Sequence, residues 1–227
     1  MKVILLPGLD GTGLLFNELL AFLPDDVDYD VVVLDELVGN SIIEHAQMLA
    51  SRYDDSEELL VVAESFSGRL AYELALLIPQ QIKHLIFVAS FISRPIGIAS
   101  IAHYLPSFAL TDKPLNRFML KLLGFANLCR DKQLNAVFKS LSIAEFSNLR
   151  WRLRQISKMR KVTRKLSVGA TYIRPSKEYL VGINAVNHIE ETFQSFDMRV
   201  LDGGHFIAQS QPQKCAQIIL EKLDTVR

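Results

Sequence analysis

Short apolar runs alternate with amphipathic stretches over the first ninety residues. Residues 3–6 form an unbroken apolar run stopped by Pro7-Gly8, the pattern of a strand buried on both faces. Residues 14–23 have helical spacing and end at Pro24, and residues 29–34 read as a second strand. Ser41 followed three residues later by Glu44 has the form of a capping box and predicts a helix to about Tyr53. Residues 59–63 predict a third strand, 66–78 a helix closed by Pro79, and 84–89 a fourth strand. Four strands alternating with three helices signal an open parallel α/β sheet.

The pattern changes after the fourth strand. From about residue 93 to 165 the period is helical, strongest over 117–123, 134–141 and 144–159. Strand-like runs return at 168–173 and 198–201, with helices expected at 184–193 and 212–223. The expected organisation is a mostly parallel six-stranded core with helices on both faces, residues 1–92 and 166–227. A helical cap, residues 93–165, is inserted after its fourth strand.

Composition narrows the class. With 227 residues, 49% of them hydrophobic, the chain can bury a full core and is not a disordered segment. The 25 basic and 25 acidic residues cancel, which argues against a nucleic-acid partner. Cys129 and Cys215 lie far apart, offering neither a disulfide framework nor metal-ligand spacing. The first apolar run is too short for a signal peptide, and no run approaches the roughly 20 residues of a membrane helix. A cytoplasmic protein without a transmembrane segment is expected.

The chemistry gathers around LLVVAESFSGRL, residues 59–70. A strand that turns abruptly into a helix exposes the residue at the turn, provided the positions two before and two after it are small. Around Ser65 these are Ala63 and Ser67; around Ser67 they would be Ser65 and Arg69, and arginine does not fit. Ser65 is therefore the candidate nucleophile, with a helix N-cap as its ordinary structural alternative. A base should lie on another loop at the same sheet edge. Of five histidines only His205, in Leu-Asp-Gly-Gly-His-Phe, follows a strand on a glycine-flanked turn. The acid that orients it is expected at Glu178, after the fifth strand, with Asp202 as the second choice. Backbone donors for an oxyanion are expected from Phe66, which follows the serine, and Leu9, which follows Gly8.

The Pro-Gly loop, the Glu-Ser-Phe-Ser-Gly turn, a late acid and Gly-Gly-His-Phe near the end, in that order, resemble the α/β-hydrolase superfamily over the whole chain. The resemblance implies a Ser65–His205–Glu178 triad under a helical cap, acyl transfer through Ser65, and no metal or cofactor. Three features depart from the family pattern. Pro7 stands where many members have histidine, the outer glycines of the turn are Ala63 and Ser67, and the acid is Glu rather than the commoner Asp.

Charge distribution bears on the substrate. Residues 112–165 hold 14 Lys and Arg against three acids, a net of +11 balanced by −11 elsewhere. Arg150, Arg152, Arg154 and Lys158 are the candidate contacts for an acidic carrier of the acyl group, the alternative being a solvated helix face. In this charge the chain is similar to esterases that cleave a methyl ester from an acyl chain held on acyl carrier protein in biotin synthesis. Phosphate-bearing acyl-CoA or anionic lipid would suit the same patch. Phe118, Leu122, Phe125, Phe138 and Phe146 are apolar residues that either line an acyl pocket or form the cap's own core. Thioester hydrolysis is the nearest alternative activity, and an inactive hydrolase fold kept for binding is the alternative from another class. A dinucleotide site is disfavoured, because the first loop reads G-x-x-G-x-G.

Overall fold

A computed structural model describes residues 1–53, 57–96 and 107–226. One sheet contains β1 (Lys2–Leu6), β2 (Tyr29–Val31), β3 (Leu59–Glu64), β4 (Ile82–Val88), β5 (Leu166–Pro175) and β6 (Phe193–Leu201). Their order is β2-β1-β3-β4-β5-β6, and every neighbouring pair is parallel. All six residues of β3 are buried, because helices cover both faces of the sheet. Leu59, Val61 and Ala63 pack towards α2 (Ile42–Ala50), α3 (Ser67–Leu77) and α7 (Asn184–Thr192). Leu60 and Val62 pack towards α1 (Asn17–Leu20), α8 (Ile207–Ser210) and α9 (Pro212–Val226). Burying each such aliphatic side chain contributes roughly 1.5–3 kcal/mol, which is why the central strands read as continuous apolar runs.

The expected elements are present with shifted ends. β6 begins at Phe193, directly after α7, rather than at 198. It is a half-exposed edge strand with polar residues through its middle, so its first half carries no apolar signal. β2, at the other edge, stops at Val31. The stretch 14–23 splits into a 3₁₀ turn, Leu14–Phe16, and the short α1. Ser41 caps α2 by accepting the Glu44 N–H at 3.2 Å. Glu44 reaches back one residue further than a capping box requires, to the N–H of Asn40 at 2.9 Å.

Between β4 and β5 the described residues contain no strand. They form α4 (Pro114–Met119), a π turn (Leu120–Gly124), α5 (Asp131–Ile143) and α6 (Phe146–Lys158). Leu153 and Ile156 of α6 join the α2/α3 face of the main core, while Phe125, Leu134 and Val137 form a small core with Leu15. Residues 97–106 of the expected cap, His103 among them, lie outside the described residues. Because all strands run the same way, the loops after β1, β3, β5 and β6 emerge at one edge.

Candidate active site

Ser65 follows the last residue of β3 and has φ 48°, a left-handed conformation that costs a non-glycine residue about 1–3 kcal/mol. The surroundings hold it there. Its N–H donates to the Val88 carbonyl at 3.0 Å, and its carbonyl accepts the Ser90 hydroxyl at 2.6 Å. The Tyr172 hydroxyl donates to the Ser90 carbonyl at 2.9 Å. The need for a small residue at this turn falls one position later than expected. A Cβ on Gly68 would collide with the Ser90 hydroxyl and come within 2.7 Å of the Phe91 carbonyl oxygen. Ser67, fully buried, instead hydrogen-bonds the Pro7 carbonyl and ties this turn to the loop after β1.

His205 lies on the loop after β6. Its Nε2 is 3.0 Å from the Ser65 hydroxyl, and its Nδ1 is 2.9 Å from Glu178 Oε2. The other Glu178 oxygen accepts the N–H groups of Leu180 at 2.8 Å and Val181 at 3.1 Å, which fixes the carboxylate. Asp202 is exposed and turned to the Ser176 hydroxyl at 2.9 Å. Burial works against the charged form of His205, but the charge and hydrogen bond of Glu178 outweigh it, with Glu64 adding, and its pKa is raised. Burial also opposes ionisation of Glu178, yet the charge and hydrogen bond of His205 and the two N–H groups hold its pKa down. A base oriented by a carboxylate and touching a strained serine can remove that serine's proton. His45, His84 and His188 are spent elsewhere, on the Gly39 carbonyl, the Thr171 hydroxyl and the Val162 carbonyl.

The loop after β1 packs on the serine. A Cβ on Gly8 would lie 3.6 Å from the Ser65 Cβ. Among the described residues the N–H groups of Leu9 and Phe66 have no acceptor.

Glu64 was not visible in the sequence as anything but the flank of Ser65. It is buried, accepts a hydrogen bond from the Gln209 amide at 3.0 Å, and has no described partner at Oε2. Burial, then the charge of Asp10, push its pKa up to about 7, against the opposing effects of Gln209 and His205. The folded protein therefore holds this proton far above pH 4.5, the ordinary value. The resulting stabilisation is complete below that pH and is lost as pH rises through about 7. Glu64→Gln keeps the shape without the titration. Its unfolding free energy relative to wild type should grow by about 3 kcal/mol between pH 4.5 and pH 8 in urea titrations. An unchanging difference would assign the proton elsewhere.

The four basic candidates separate. Arg150, Arg154 and Lys158 are exposed at four-residue intervals along α6. Arg152 is only 2% exposed. Its guanidinium is turned inward to the Leu9 and Asp10 carbonyls and ion-pairs with Asp35, so it is not part of that surface. A signal for this was present, since Leu149, Arg152, Leu153 and Ile156 share the helix face that is buried. Of the apolar candidates, Phe125 is buried and stacks on Phe206 with 5.0 Å between ring centroids, next to His205. Phe138 is buried and Leu122 half-buried, whereas Phe118 and Phe146 are exposed.

The parallel sheet, the two helical layers and the turn after β3 define an α/β-hydrolase fold, and solved structures share it from end to end. The chain is similar to RedJ, the thioesterase of the prodiginine biosynthetic pathway in Streptomyces coelicolor. The two are 20% identical with a TM-score of 0.73, covering 100% of this chain and 90% of that one. It is similar to the esterase EaEST from Exiguobacterium antarcticum, 12% identical with a TM-score of 0.80, covering 99% and 92%. A thermophilic esterase matches at 12% identity with a TM-score of 0.79, covering 99% and 89%. No protein-family model matches the sequence, and no curated protein matches it. No described helix is long and apolar enough to cross a membrane.

Proposed function

We propose that this chain is a serine hydrolase that cleaves carboxylic esters through an acyl-enzyme. One observation carries the reading: Glu178, His205 and Ser65 are joined at 2.9 and 3.0 Å, and the serine at the end of that relay is on a strained turn. As the Ser65 oxygen bonds to the substrate carbonyl carbon, His205 takes its proton and Glu178 stabilises the imidazolium. The N–H groups of Leu9 and Phe66 hold the oxyanion; each such donor is worth about 10²–10³ in rate. His205 then protonates the departing alkoxide, and water, deprotonated by the same histidine, releases the acid. A fluorophosphonate probe should label the protein at one residue, Ser65, identified by mass spectrometry. A folded protein that resists the probe would be the inactive binding protein instead.

The finer reading is an acyl group presented on an acidic carrier, with a methyl ester on acyl carrier protein as the first substrate to try. It is supported by the exposed row of Arg150, Arg154 and Lys158, none of which pairs with a carboxylate among the described residues. A thioester of the same carrier, or of CoA, is the second reading, favoured by the likeness to a thioesterase. Raising salt from about 0.05 to about 0.5 M should raise KM for a carrier-borne ester roughly tenfold and leave a p-nitrophenyl ester unaffected. Equal salt responses would remove the carrier from the proposal.

A further inference from the structure

The helical insertion grips the loop that carries Leu9 from two sides. From α6, Arg152 Nη1 donates to the Leu9 carbonyl at 3.0 Å and the Asp10 carbonyl at 3.1 Å, and its Nη2 bonds Asp35. From α5, the Ser140 hydroxyl donates to Asp10 Oδ2 at 2.6 Å. That oxygen also accepts the Thr12 N–H at 3.1 Å and the Thr12 hydroxyl at 2.7 Å. Asp10 and Ser140 are buried along with Arg152. Gly11, at φ 72°, leaves the space the guanidinium fills; a Cβ there would fall 2.5 Å from Arg152 Cζ.

Packing alone does not call for this arrangement. An apolar side chain of similar volume is commonly as stabilising as a buried ion pair. It would not hold two successive main-chain carbonyls in a fixed direction, and a planar guanidinium does so well. The loop so held sits against Ser65 through Gly8 and carries the Leu9 N–H.

We infer that Arg152, with Ser140 in support, is a positioning residue for the oxyanion donor Leu9, so that the insertion is part of the catalytic framework. The inference rests on the proposed roles of Ser65 and Leu9. Arg152 touches no reacting atom. It acts by fixing where the Leu9 N–H points, so its loss should weaken the transition state and spare ground-state binding.

The test uses the full chain with p-nitrophenyl butyrate, an alkyl boronic acid as a tetrahedral mimic, and titration of active serines with the fluorophosphonate. Arg152→Met, which fills the space without donors, should lower kcat per titrated site by about 10–100-fold with KM within about threefold. The boronic acid should bind more weakly by a similar factor, and Arg152→Lys should fall between. In Arg152→Ala, added guanidinium ion should restore at least about tenfold of the lost kcat. Should Arg152→Met fail to fold, Ser140→Ala provides the reading, with a smaller loss of kcat and the same weakening of the boronic acid. Variants with wild-type kcat per titrated site and unchanged boronic acid affinity would overturn the inference and leave the role of Ser65 standing. A folded wild type that the probe does not label would overturn both.

Discussion

Ser65→Ala should leave a folded protein whose ester hydrolysis has fallen by roughly 10⁶ in kcat, the scale on which a serine nucleophile's removal is felt. The hydroxyl contributes one hydrogen bond to stability, to His205 Nε2 at 3.0 Å, and deleting it should cost about 1 kcal/mol or less. The turn itself depends on groups that alanine keeps, the Ser65 N–H on Val88 and the Ser65 carbonyl under Ser90. Ser65→Gly supplies a second check on the same residue. At φ 48° glycine avoids a Cβ penalty of about 1 kcal/mol that serine and alanine both bear. The inactive glycine variant should therefore melt above the inactive alanine variant. Retention of full esterase activity by either variant would move the nucleophile elsewhere. Equal melting of the two would mean that the turn relaxes around its side chain.

Glu178→Gln should lower kcat by on the order of 10⁴, because an amide neither stabilises an imidazolium nor enforces the tautomer that leaves Nε2 free to accept the serine proton. Its pH signature is separate from its size. Activity needs neutral His205, so the wild-type rate should rise as pH passes the histidine's raised pKa, above the usual value near 6.5. Removing the carboxylate takes away the two larger interactions that oppose burial and leaves only the charge of Glu64. The residual activity of Glu178→Gln should then rise at a lower pH than that of wild type. A profile with its acid limb unmoved would show that Glu178 is not what holds the histidine's proton. The Glu178–His205 attraction also stabilises the fold while His205 is charged, and that contribution should fade as pH rises through the raised pKa of the histidine.

The central strands were legible because burial on both faces leaves only apolar side chains, as in Leu59–Glu64 up to its last residue. Edges obey a weaker rule. β6 has a face in solvent, so Gln194, Ser195, Asp197 and Arg199 hide the half of the strand that a hydrophobic pattern would need. The serine and histidine could be picked out because tight turns restrict which residues surround them. Strand ends favour Glu178 over Asp202, and the structure aims only Glu178 at His205. Charge groups Arg152 with its neighbours, whereas its place on the helix decides its environment; 100° per residue sets it on the stripe of Leu149 and Ile156 and away from Arg150 and Arg154. Glu64 carried no signal, since the groups that act on its carboxyl, Gln209 and Asp10, are remote in sequence and brought beside it by the fold.

The sheet has a timetable. Ser65 and His205 are 140 residues apart, so at about 5–20 residues per second a ribosome finishes His205 on the order of ten seconds after Ser65. Over the same interval the groups that hold the turn are still arriving, Val88 and Ser90 first and Tyr172 much later. One sheet face, formed by Val3, Leu5, Leu60, Val62, Ile86 and Val88, also waits for Cys215, Ala216, Ile219 and Leu223 of the final helix. Until α9 arrives, that face is a greasy surface on a half-made protein. The last of the described helices to be made is the one that completes the cover of this face.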